Sequence, residues 1–220
     1  MATLDEFAGN RVLCVGVTGH RCGRLSRMDE PRLRQRLHDI FSWIIVHRTT
    51  PESMARFGLK ETAEPFSAVA LLSALAEGAD QIAAEEALRL DCILLCALPF
   101  ARTEYEADFS TTETRRAYHA LLAQAAVVEE LQGTRANEEA AYADVGHHVV
   151  ACSDVLLAIW DGDGAQGPGG TASIVAAALE CERSVIWLDA RSPHRVHLLT
   201  DSRQPSPVDI TDLFPQTVDT

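Results

Sequence analysis

The sequence predicts an α/β protein: a single doubly wound, mostly parallel sheet with helices on both faces, Rossmann-like in type. Three observations predict it. Apolar runs of strand length alternate with stretches of helical periodicity along most of the 220 residues. The runs are continuously apolar rather than alternating, which marks strands buried on both faces. Glycines gather where a run gives way to a helix, at "VTGH" (17–20), "AEGAD" (76–80) and "GPGGT" (167–171).

The first strand is "RVLCVGVTG" (11–19), and a loop follows it. Asp29, Glu30 and Pro31 then open a helix. Leu33, Leu37, Ile40, Phe41, Ile44 and Ile45 keep its period through residue 47. Residues 49–65 are polar and hold two prolines, so they read as a surface connection. "FSAVALLSAL" (66–75) is a second strand with a helix after it, and "DCILLCALPF" (91–100) a third, stopped by Pro99. Ser110 and Glu113 have capping-box spacing ahead of a helix over 110–125. "AVVEEL" (126–131) is a short strand. Asn137 is the expected cap of a helix over 137–153, with Ala141, Val145, Val149 and Cys152 inward. "DVLLAIWD" (154–161), a helix from the Gly-Thr at 170–171, and "SVIWLDA" (184–190) complete the alternation. Residues 1–190 therefore form one domain, and 191–220 a polar, loosely held tail with one short docked segment.

The formal net charge is −13. A surface of that sign repels phosphate polymers, so no non-specific nucleic-acid partner is expected. The charge is uneven. Residues 1–50 hold eight arginines against five acids, a net of +3. Arg21, Arg24 and Arg27 crowd one loop, which suits a small anion. The six cysteines have neither disulfide-scaffold nor CxxC spacing; they read as reduced, mostly core residues, and no metal site is expected. No apolar window is long enough to span a membrane, and the acidic N-terminus is unlike a secretory signal. A cytoplasmic protein with no membrane partner is the expectation.

In open α/β sheets, ligands bind beyond the carboxyl ends of the strands. That sorts the loops. Those at 18–27, 74–80, 99–108, 132–136 and 161–171 lie at the candidate edge, and 49–65 at the other. Helix starts there offer free N–H groups to phosphates. Neither the GxGxxG nor the P-loop fingerprint occurs, and no cofactor is expected.

"GVTGHR", "ALAEGADQIAAEEAL", "LPFARTEYEADF" and "DVLLAIWDGDGAQGPGGTASIV" come in the order typical of SLOG domains. The chain thus resembles, over roughly residues 10–190, the superfamily that joins DNA-processing protein A to the Lonely Guy phosphoribohydrolases. It looks most like bacterial SLOG proteins found alone or beside effector domains in conflict systems. The resemblance implies binding of a nucleotide or nucleotide-derived signal, with its phosphate on Gly169, Gly170 and Thr171 and on Thr18 and Gly19. His20, Arg21 and Arg24 would supply polar and charged contacts. Glu77 and Asp80 would accept from ribose hydroxyls, Gly78 and Asp161 would also border the ligand, and Phe100 or Tyr105 would flank the base. The Lonely Guy loop carries acids where this chain has Ser173 and Ile174, so binding without hydrolysis is expected. Two alternatives stand: a nucleoside monophosphate phosphoribohydrolase, and an interaction module with a vestigial pocket. A homo-oligomer rests on analogy alone.

Overall fold

A computed structural model describes Leu4 and residues 11–25, 29–59, 65–164, 167–200 and 207–214. Eight strands form one sheet: β1 (Val12–Gly19), β2 (Ala68–Ser73), β3 (Ile93–Leu98), β4 (Val127–Glu130), β5 (Val155–Trp160), β6 (Val185–Asp189), β7 (Val196–Leu199) and β8 (Val208–Asp209). Their spatial order is β4-β3-β2-β1-β5-β6-β7-β8. The first six are mutually parallel, and β7 and β8 are antiparallel additions. The helices are α1 (Cys22–Leu25), α2 (Glu30–His47), α3 (Pro51–Ala55), α4 (Ala79–Arg89), α5 (Arg102–Tyr105), α6 (Thr112–Leu122), α7 (Glu138–Ala151) and α8 (Thr171–Glu180).

The doubly wound sheet is therefore present, and its two cores explain the unbroken apolar runs. Leu13, Val15 and Val17 of β1 and Val155, Leu157 and Ile159 of β5 enter the core under α2, α4 and α6. Cys14, Leu156 and Ala158, on the other face, meet α7 and α8. Successive strand side chains point to opposite faces, and here both faces are covered.

One local signal holds and three are redistributed. Asp29 caps α2, accepting from the Arg32 N–H at 3.2 Å. Ser110 does not cap α6; Thr111 does, accepting from the Thr114 N–H at 3.1 Å. Ser110 gives its N–H and hydroxyl to Glu77 instead, at 3.1 and 2.5 Å. Asn137 makes no side-chain cap to α7. The connection read over 49–65 contains α3.

The segment after Ala190 also differs from the loose tail expected. It supplies β7 and β8, and Phe214 is buried against Phe57 and Trp43. Buried Arg36 ties it down, donating to the carbonyls of Pro193, His194 and Phe214 at 3.3, 3.0 and 2.6 Å. The polar composition misled because β7 and β8 form an edge, where only part of each strand needs apolar residues. Among the described residues, no helix is long and apolar enough to cross a membrane.

Candidate functional site

Strand order reverses between β1 and β5. From β1 the chain builds outward through β2, β3 and β4, then returns to place β5 on the other side. The segment leaving β1 leads to α2 on one face, and that leaving β5 leads to α8 on the other. Such divergence opens a crevice at the carboxyl ends of the two strands. A cavity of about 580 Å³ lies there.

Thr18 and Gly19, ending β1, line it. The backbone beyond is stitched to its neighbours. The His20 N–H donates to the Ile159 carbonyl at 3.2 Å, and the His20 carbonyl accepts from the Ala79 N–H at 3.1 Å. His20 is itself buried. Its Nε2 accepts from the Asp161 N–H at 3.1 Å and lies 3.0 Å from Asp161 Oδ1. Burial alone would raise the Asp161 carboxyl; the Asp163 amide, His20 and Arg24 overcome it and hold it below its ordinary value.

Gly167, Gly169, Gly170 and Thr171 form the opposite rim. The N–H groups of Thr171 and Ala172 open α8, whose start has no side-chain cap. Both residues line the cavity. Thr171, 9% exposed as a residue, lines the cavity, and its hydroxyl has no hydrogen-bond partner among the described residues. Ser173 turns away, its hydroxyl donating to the Gly170 carbonyl at 2.7 Å. Ile174 is buried in the core against the neighbouring helix.

The cationic wall is Arg21 and Arg24. The Arg21 guanidinium lies 5.0 Å above the Tyr142 ring and 3.7 Å from Asp108 Oδ2. Tyr142 donates its hydroxyl to the same carboxylate, which also pairs with Arg135 at 2.6 Å. Asp108 thus fixes both Tyr142 and Arg21 without entering the cavity. Arg27 lies outside the described residues.

Asp80 is buried and also lines the cavity. Burial pushes its carboxyl up to about 7, although the amides of Ala76 and Ala74, the Ser73 hydroxyl and Arg21 pull the other way. Ser73 Oγ donates to Asp80 Oδ2 at 3.4 Å and accepts from the Leu75 N–H at 2.9 Å. The turn so gathered is strained, with Leu75 at φ 54°. Tyr105, beside Asp80, has its hydroxyl pKa raised well above the usual value by burial and by that carboxyl.

The cavity thus joins a helix start, two guanidiniums, the carboxyls of buried Asp80 and exposed Glu138, and an apolar wall from Val17, Val145 and Val149. That combination is chemically suited to an anion attached to a flatter, less polar group.

The fold is similar to that of DNA processing protein A. The protein of that name from Helicobacter pylori, which binds single-stranded DNA, aligns at 17% identity with a TM-score of 0.47, over 83% of this chain and 67% of its own. DNA processing protein A from Streptococcus pneumoniae aligns at 12% identity and 0.45, over 80% of this chain and 50% of its own. No family model and no curated protein matches the chain. DNA processing protein A is one branch of the superfamily that the sequence motifs resemble.

This corrects the exclusion of nucleic acid. A structural neighbour, DNA processing protein A of Helicobacter pylori, binds single-stranded DNA. Net charge sums the whole surface, whereas a strand touches one part of it, so the total of −13 does not by itself exclude such a partner.

Several predicted residues stand elsewhere. Glu77 is taken by Ser110, which holds its carboxyl low against the opposing effect of burial. Gly78 lies behind the β1 loop in a bridge with Arg21. Asp161 faces a neighbouring cavity. Phe100 is fully buried, with the Arg135 guanidinium 4.1 Å from its ring, and does not line the cavity. Tyr142 was missed. It is the residue after Ala141 on α7, outside the inward set of that helix, and only the approach of α7 to the α8 loop brings it to the cavity. An aromatic just after a loop assigned to the site edge was the available signal.

Proposed function

We propose that this protein binds a nucleotide or nucleotide-derived ligand and does not hydrolyse it. The observation that carries the reading is the rim at Thr171: a hydroxyl open to the cavity and without a partner among the described residues, beside two helix-start N–H groups that no side chain caps, in a cavity that Arg21 also lines. A phosphate would satisfy all of these at once. Asp80, able to donate or accept near neutral pH, would meet the sugar or base, and Tyr105 and Tyr142 would border the ring. The packing of Ser173 and Ile174 supports binding without hydrolysis, since neither presents an acid. The six thiols are free, which suits the reducing cytoplasm.

Thermal melts against nucleoside monophosphates and ADP-ribose test this. At about a hundred times its dissociation constant, a true ligand adds about 2.7 kcal/mol to unfolding. Ligand-free protein that melts unchanged with every member would overturn the reading. Free base released at about 1 per second or faster would establish hydrolysis instead.

Arg21→Ala should weaken nucleotide binding by about 1.5–3 kcal/mol, the range for hydrogen bonds to charged groups. The apo protein should change by no more than about 1 kcal/mol, because the Arg21 side chain is half exposed and, among the described residues, is held by the Asp108 pair and by Tyr142. Calorimetry giving equal affinities would place the phosphate away from this loop.

A further inference from the structure

A second cavity, of about 500 Å³, adjoins the first at the same edge of the sheet. His20, Gly23 and Arg24 belong to both, so the start of α1 is their common wall. The far side carries Asp161 and Asp163, after β5, and Arg191, after β6.

The common wall is low. Gly23 is exposed, and a Cβ built there would meet none of the described residues within 4 Å. Nothing but hydrogen therefore projects from the ridge at that point. The first cavity is already large enough for a small ligand, a class that needs roughly 300–1,000 Å³. The second is surplus to a mononucleotide.

Its chemistry repeats that of the first in one respect. Arg24 and Arg191 present guanidiniums that are 37% and 60% exposed. Arg24 Nη1 is 3.5 Å from Asp161 Oδ2, and Arg191 pairs with Asp163. The Arg191–Asp163 pair is exposed on both sides and contributes little, and the Arg24–Asp161 contact is long at 3.5 Å, so both guanidiniums can turn to a better acceptor. Phosphate is that acceptor, since it takes two parallel N–H bonds from one arginine.

We propose that the two cavities are halves of one site for a ligand carrying two phosphates at dinucleotide spacing. One phosphate rests on Thr171 and the start of α8. The chain of the ligand crosses the ridge at Gly23, and the second phosphate meets Arg24 and Arg191. This rests on the nucleotide reading above and extends it.

The test compares AMP with the 5′-phosphorylated diadenylate pApA by calorimetry, on wild type, Arg191→Ala and Gly23→Leu. Wild type should bind pApA about tenfold or more tighter than AMP, the gain expected of one added charge-assisted contact. Arg191→Ala should remove that gain and leave AMP binding as it was. Gly23→Leu, which raises the wall common to both cavities, should lower pApA affinity by a larger factor than AMP affinity, with the apo melting temperature unchanged. Equal wild-type affinities for the two probes would overturn the proposal while leaving the nucleotide reading intact; so would an Arg191→Ala loss shared equally by AMP. Failure of both probes to bind would remove both readings together. A 5′-phosphorylated adenylate dodecamer tells the sources apart. Affinity equal to that of pApA assigns the site to a strand end, and weaker affinity to a free dinucleotide; either keeps the proposal.

Discussion

Between about pH 4 and pH 7, Asp80 should make the protein less stable as pH rises, and Asp80→Asn should abolish that contribution. The cause is burial. It pushes the carboxyl up to about 7, above the ordinary carboxylate range, while the unfolded chain keeps the ordinary value. Within the window the folded state binds the extra proton. Raising the pH must strip it, so stability falls until the folded carboxyl has ionised and is flat beyond. A shift of this size corresponds to a ceiling of about 4 kcal/mol at one group. Glu77 and Asp161 act with the opposite sign, since their folded values are depressed; their stabilisation is lost only as pH falls into the acid range. The test is therefore the difference between two profiles. Urea denaturation of wild type and Asp80→Asn from pH 4 to pH 9 should show curves that meet near pH 4 and separate towards pH 8, with the asparagine form more stable. Parallel profiles would mean that Asp80 is ionised in the fold and that the Ser73, Ala74 and Ala76 contacts outweigh burial.

Gly169→Ala should cost about 2–5 kcal/mol and lower nucleotide affinity as well. Gly169 has φ 76°, a region costly to an L side chain. A Cβ there would also meet the Ala143 nitrogen and the Tyr142 carbonyl carbon at 2.8 Å. Those are backbone atoms of α7 and cannot swing aside, so the α8 loop must lift from the helix. The lift carries the Thr171 and Ala172 amides out of register with Arg21. Gly167→Ala is the matched control. Gly167 also has positive φ, at 136°, but a Cβ there meets nothing within 4 Å. It should show conformational strain alone, about 1–3 kcal/mol. Equal losses in the two variants, at unchanged m-value, would show that α7 does not press on Gly169.

These glycines illustrate how a correct signal can carry the wrong reason. A glycine-rich turn before a helix suggests that a ligand approaches the backbone. At Gly169 the close neighbour is α7. At Gly78, with φ 111°, it is the His20 carbonyl and the Cys22 nitrogen. The turns do border the cavity, but their glycines are required by protein packed against protein.

The sequence by itself determined the layered fold. Strand and helix periods are local, and a strand buried on both faces must be apolar at every position, so β1, β2, β3, β5 and β6 were legible one by one. It also determined the edge. Once the sheet is parallel, every strand-to-helix loop falls at its carboxyl end, which brought Thr18, Asp80, Tyr105 and Thr171 to one cavity. Tertiary structure alone decided which of several similar groups face that cavity. Glu77 and Asp80 stand three residues apart in one turn, yet one is taken by Ser110 and the other is buried beside Arg21. It also decided that Tyr142 belongs there and Phe100 does not, and that a polar segment after Ala190 closes the sheet. Those outcomes depend on distances between elements remote in the chain, and side-chain periodicity carries no record of them.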